Sequence, residues 1–201
     1  QDDRLINAPN IAIGSPGANR ATEHLLSEML GIAPFQKCPI DQLPFFIVRA
    51  DRDARVSSAF LRTRRETRRF DATRKVVLAP GKRAFVIDGR MYKSNEEEDY
   101  ALLVAQRRPG SGHVQVVIFG LSGRATHEMA GILRSGQPHD TVPGLKANQE
   151  TPPIFIALFR IDLSDADKEI SVLGSSPVGK PTLIRHIDGE WQFDDRFDAT
   201  C

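Results

Sequence analysis

Residues 11–30 read IAIGSPGANRATEHLLSEML, and the same order of parts returns over residues 114–133, VQVVIFGLSGRATHEMAGIL. In each, an apolar run meets a loop of glycine and small polar residues and then a helical pattern. The pattern opens at Ala21 and Thr22 in the first stretch and around Thr126 in the second. A strand feeding such a loop and a helix aims backbone N–H groups outward from the positive end of a helix dipole, which makes an anion site. Two such units in 201 residues point to an α/β domain whose loops gather around a phosphate- or carboxylate-bearing ligand.

The composition suits one such domain over residues 1–201. Hydrophobic residues at 40 % and charged residues at 26 % are ordinary for a folded globule, and a chain this long buries roughly 70 % of its unfolded surface. A net charge of +1 supplies no global field for nucleic acid or an acidic partner. No apolar stretch approaches the roughly 20 residues of a membrane span; Val114–Leu121 and Ile154–Phe159 have the length of buried strands. The chain begins with Gln1 in place of Met, which signals processing or a larger parent chain. The cytoplasm is slightly favoured, with an extracytoplasmic position open if Gln1 follows a removed or membrane-spanning segment. Cys38 and Cys201 are the only cysteines. The expectation is one buried thiol and one on a frayed terminus, with a disulfide as the lesser alternative.

Further strands are expected at Leu43–Val48, Tyr100–Ala105, Val114–Phe119 and residues 154–161, with two weaker ones over 170–187. Asp88-Gly89 and Asp188-Gly189 read as hairpin turns. The short Pro109–Gly112 loop makes the strands on either side of it antiparallel, so the sheet is mixed and departs from a regular doubly wound fold. Residues 49–75 form a basic belt carrying +6, which leaves −5 on the rest of the chain. If residues 56–70 are helical, Arg62, Arg65 and Arg69 share one exposed face. The acidic run Glu96–Asp99 is its candidate internal partner.

Gly14-Ser15-Pro16 with Asn19 three residues on, then a strand holding Tyr100, then Phe119-Gly120 and Thr126 opening an Ala-rich helix, resemble a Rossmann-like sensor domain of bacterial regulatory proteins. That family's pattern is Gly-Ser-Pro-x-x-Asn, then a Tyr strand, a short loop, an apolar strand and Gly-x-x-x-x-Gly-Thr. The match spans about residues 9–135. It departs at Ala125, where the family usually has Gly, and after Asn19, where Pro is frequent; the arginine belt resembles an insertion. The resemblance implies a sensor or ligand-binding module and transfers no activity to particular residues.

The residues expected to bind follow from the two loops. Gly14 lets backbone approach a ligand, Ser15 and Asn19 present a hydroxyl and an amide, and Thr22 caps or contacts from the first helical turn. Gly120, Ser122, Gly123 and Thr126 play matching parts, and Arg124 adds a charge for an anion. Neither loop carries the three glycines of a dinucleotide fingerprint. Ser122 also resembles a nucleophile elbow, but Arg124 stands where that motif needs its last glycine. His139 and His186, with Asp162 between them, supply an acid-then-histidine order that chance readily provides. Gly174–Lys180 resembles a phosphate-binding loop, yet Pro181 replaces the magnesium-ligating hydroxyl and removes a donor. No metal or cofactor is called for: His127-Glu128 lacks a second histidine, and Asp194, Asp195 and Asp198 lack the spacing of a calcium loop.

The sequence therefore predicts one Rossmann-like α/β domain, its mixed parallel and antiparallel sheet flanked by helices. It is expected to bind a small anionic ligand without catalysis, with a protein partner or an N-terminal regulatory segment also compatible. Nucleic acid is disfavoured. The alternatives are an enzyme on a nucleotide-like substrate, with Glu97, Asp99 or Glu128 as the acid/base, and a protein or nucleic-acid interaction module using the belt.

Overall fold

The computed structural model describes residues 11–32, 38, 42–50, 57–59, 82–88, 90–108, 113–135, 153–163, 175–178 and 181–194. In chain order the elements are β1 (Ile11–Ile13), α1 (Arg20–Leu30), β2 (Phe45–Ala50), β3 (Ser57–Ala59), β4 (Arg83–Ile87), β5 (Arg90–Lys93), β6 (Glu98–Arg107) and β7 (Val114–Gly120). They continue with α2 (Gly123–Ser135), β8 (Ile154–Asp162), β9 (Ser175–Pro177), β10 (Thr182–Ile187) and β11 (Glu190–Phe193).

The strands form two sheets rather than the one expected. The larger runs β1-β7-β6-β8-β10-β11, with β9 paired to β8; the smaller runs β3-β2-β4-β5. The larger sheet is mixed: β1 pairs β7 in parallel, and its other ladders are antiparallel. Alternation along β7 sends its side chains to two different cores. Val117 and Phe119 face one core, which also holds Leu25, Leu26, Met29 and Leu30 of α1 and Phe45 and Phe85 of the smaller sheet. Val116 and Ile118 face the other, with Ala125 and Met129 of α2. Phe119 joins the two sheets, its ring 5.6 Å from that of Phe85 and 6.3 Å from that of Phe45. Burying each of those large side chains contributes about 1.5–3 kcal/mol.

Local chemistry sets the element ends. Asn19 caps α1, its side chain accepting from the Ala21 N–H, and left-handed Gly31 closes the helix with its own N–H on the Glu28 carbonyl. Asp88 and Asp188 adopt positive φ at the β4–β5 and β10–β11 turns, as their hairpin signatures require. The helix expected over 56–70 is corrected at its start, where Ser57–Ala59 is a strand paired with β2. Arg62, Arg65 and Arg69 lie outside the described residues. So do His139, Asp195, Asp198 and Cys201. Cys38 is buried, and its Sγ donates to the Gln42 Oε1 at 3.7 Å. No helix among the described residues is long and apolar enough to cross a membrane.

Candidate functional site

The parallel ladder brings the two loops together. Ile11, Ala12 and Ile13 lie beside Val116, Val117 and Ile118, so the carboxyl ends of β1 and β7 share one edge of the sheet. The Gly14 N–H donates to the Ile118 carbonyl at 2.8 Å, tying the first loop to the strand that feeds the second. Gly14 holds φ +119°, open to glycine and strained for any other residue. From these neighbouring ends α1 leaves to one face of the sheet and α2 to the other. A crevice between oppositely departing connections is where open α/β sheets place their ligands.

The second loop is locked by its own side chains. Thr126 Oγ1 donates to the Ser122 carbonyl at 2.9 Å and accepts the Gly120 N–H at 2.9 Å. Ser122 caps α2, its Oγ accepting the Ala125 N–H at 3.1 Å. Gly120 is required by contact, since a Cβ there would stand 2.6 Å from both the Ala125 Cβ and the Thr126 nitrogen. The N–H groups of Gly123 and Arg124 have no partner among the described residues. They emerge at the dipole's positive end.

In the first loop, Asn19 works in both directions, accepting from Ala21 and donating through Nδ2 to the Ile13 carbonyl at 2.9 Å. Its amide is thus committed to shaping the turn. The Ser15 hydroxyl makes no bond among the described residues. Thr22 is fully buried on the face of α1 that packs the sheet, and its hydroxyl finds no partner there. An orphaned buried hydroxyl calls for a missing partner.

Of the residues expected to bind, Gly14, Asn19, Gly120, Ser122 and Thr126 thus build the frame. Ser15, Gly123 and Arg124 keep polar groups available, while the unpartnered Thr22 hydroxyl is sealed beneath α1. The sequence reading left one group unplaced. Asp99 of β6 is 2 % exposed on the α2 face of the sheet, where it accepts the Ser122 hydroxyl and, at 2.7 Å, the Tyr100 N–H. Burial raises its carboxyl above the ordinary 3.8, while those two bonds and the charges of Arg83 and Lys82 pull it down without cancelling the rise. Arg83 Nη1 also donates to the Leu121 carbonyl at 2.6 Å, fastening the smaller sheet to the same loop. The sequence named Asp99 beside Glu97 and Glu128 as an acid/base candidate of the enzyme alternative, with nothing to set it next to the loops.

The other sequence candidates sit elsewhere. Within the acidic run, Glu98 of β6 pairs with Arg160 of β8 at 3.1 Å. His186 is exposed on β10, stacked on Trp191, and Asp194 pairs with Arg185. Ser175–Pro177 is a strand against β8, not a phosphate loop. Comparison with protein-family models, with curated proteins and with solved structures finds no match.

Proposed function

We propose that the protein binds a small phosphate- or carboxylate-bearing ligand, without turnover, in the crevice at the carboxyl ends of β1 and β7. One observation carries this reading: adjacent parallel strands send their helices to opposite faces and leave two glycine-containing loops side by side. The Gly123 and Arg124 amides, the Arg124 guanidinium and the Ser15 hydroxyl are the groups that would hold the anion. On this reading the two strand-loop-helix units are the Rossmann-like part of the chain. A sensor or interaction module of the kind that residues 9–135 resemble is the role it fits. Calorimetric titration with phosphate, acetate and mononucleotides tests it. At least one should bind saturably and more weakly to Arg124→Gln; no binding by any of them, or undiminished binding to the variant, would overturn it.

A second reading, an enzyme on a nucleotide-like substrate, is favoured by the bond from Ser122 to Asp99, a serine beside a buried carboxylate. Prolonged incubation with the bound ligand separates the two. Product that appears over time and is lost with Asp99→Asn supports the enzyme; ligand recovered unchanged supports binding alone.

A further inference from the structure

Among the described residues, β1 closes one edge of the larger sheet and β11 the other. At the β11 edge the exposed side chains are Glu190 and Gln192, polar groups of the kind that keep a sheet edge solvated. At the β1 edge they are Ile11 and Ile13, 54 % and 45 % exposed, on the α2 face beside the buried Val116 and Ile118. Strand β1 carries neither the charge nor the proline that usually blunts such an edge.

The β1 backbone is open in a directional way. In the parallel register the groups of Ala12 and Gly14 turn inward to β7, as the bond from the Gly14 N–H to the Ile118 carbonyl fixes. Those of Ile11 and Ile13 therefore turn outward. The Ile13 carbonyl accepts from Asn19 Nδ2, while the Ile11 carbonyl and the Ile13 N–H have no partner among the described residues. One residue of a parallel neighbour brackets this pair, donating its N–H to Ile11 and accepting from Ile13. An antiparallel strand bonded at both isoleucines would also need the Ile13 carbonyl, which Asn19 holds.

We propose that β1 takes up an extended peptide segment of a partner protein, added parallel to it as the next strand of the sheet. The bracketing residue of that segment lies beside Ala12 on the α1 face, and its two chain neighbours lie beside Ile11 and Ile13. Those two neighbours are aliphatic or aromatic, since they cover the exposed isoleucines. Main-chain bonds supply the pairing, and the alternate apolar side chains supply the selectivity. Asn19 sets where the added strand stops. A second copy of this chain, related by a twofold axis normal to the sheet, would present its β1 antiparallel and meet the occupied Ile13 carbonyl.

The probe is a panel of lysine-flanked peptides with Val, Ile, Leu or Phe on either side of a central threonine, followed by amide hydrogen exchange on the full chain. At least one peptide is expected to slow exchange of the Ile13 amide about tenfold or more, while the Ala12 and Gly14 amides, already turned to β7, change little. The same peptide N-methylated at its central threonine cannot donate to Ile11 and should lose that protection. Ile11→Lys combined with Ile13→Lys replaces exposed side chains only, and should weaken peptide binding about tenfold or more. No protection from any peptide, equal protection by the N-methylated one, or undiminished binding to the lysine variant overturns the proposal. Protection of Ile13 that rises with protein concentration without peptide, in a sample that sediments as a dimer, overturns it in favour of self-association.

Discussion

Gly120 and Ala125 are so closely packed that a methyl group on the glycine would stand 2.6 Å from the alanine's Cβ. The same methyl would meet the Thr126 nitrogen at 2.6 Å, and backbone cannot rotate aside as a side chain can. Gly120→Ala should therefore push α2 off the end of β7 and lower stability by about 2–3 kcal/mol in urea unfolding. Gly123→Ala has open space around its would-be Cβ and serves as the contrast, with a change of about 0.5 kcal/mol or less. Equal losses would mean that the α2–β7 contact is looser than described.

Asn19 both caps α1 and closes the first loop, and the two duties can be separated. Asn19→Ala should cost about 1–2 kcal/mol by removing both bonds. Asn19→Asp keeps the acceptor for Ala21 but loses the donor to the Ile13 carbonyl, so its loss should fall between wild type and alanine. An aspartate variant as stable as wild type would show that the Ile13 bond contributes nothing.

How far the sequence reached depends on which interactions were local. The β7 run, its loop and α2 were legible because apolar run, glycine loop and cap follow one another within about a dozen residues. The hairpin at Asp88 was legible for the same reason. The split into two sheets was not, since alternation shows that a strand has two faces but not which strands pair across them. Asp99 was legible only as one of three acid/base candidates and not as a neighbour of the loops, because the β6–β7 ladder, which pairs Ala101 with Gly120, carries it to the second loop from twenty-odd residues away.

Asp99 should leave its mark on stability as a function of pH. Its carboxyl titrates above 3.8 in the folded chain and near 3.8 when unfolded. Between those values the folded state holds more protons, so its contribution is full below 3.8 and is lost as pH rises through the raised value. Chemical unfolding from about pH 4 to about pH 7 should therefore show a decline that is smaller in Asp99→Asn. An identical profile in wild type and variant would place the titration elsewhere.

Thr22 separates stability from binding. Thr22→Val keeps the shape and removes a buried hydroxyl without a partner, so the ligand-free protein should gain about 1 kcal/mol. Because the hydroxyl is sealed from solvent, the same variant should bind phosphate as wild type does. A loss of stability would mean that the hydroxyl has a partner in the free protein.

The most direct test of the anion crevice is an amide-resolved NMR titration of the full chain with phosphate. Saturable shifts of the Gly123 and Arg124 amides are expected, with those of residues 14–22 moving at the same midpoint if both loops meet one ligand. Shifts confined to residues 49–75, or no saturable shift at either loop, would contradict it.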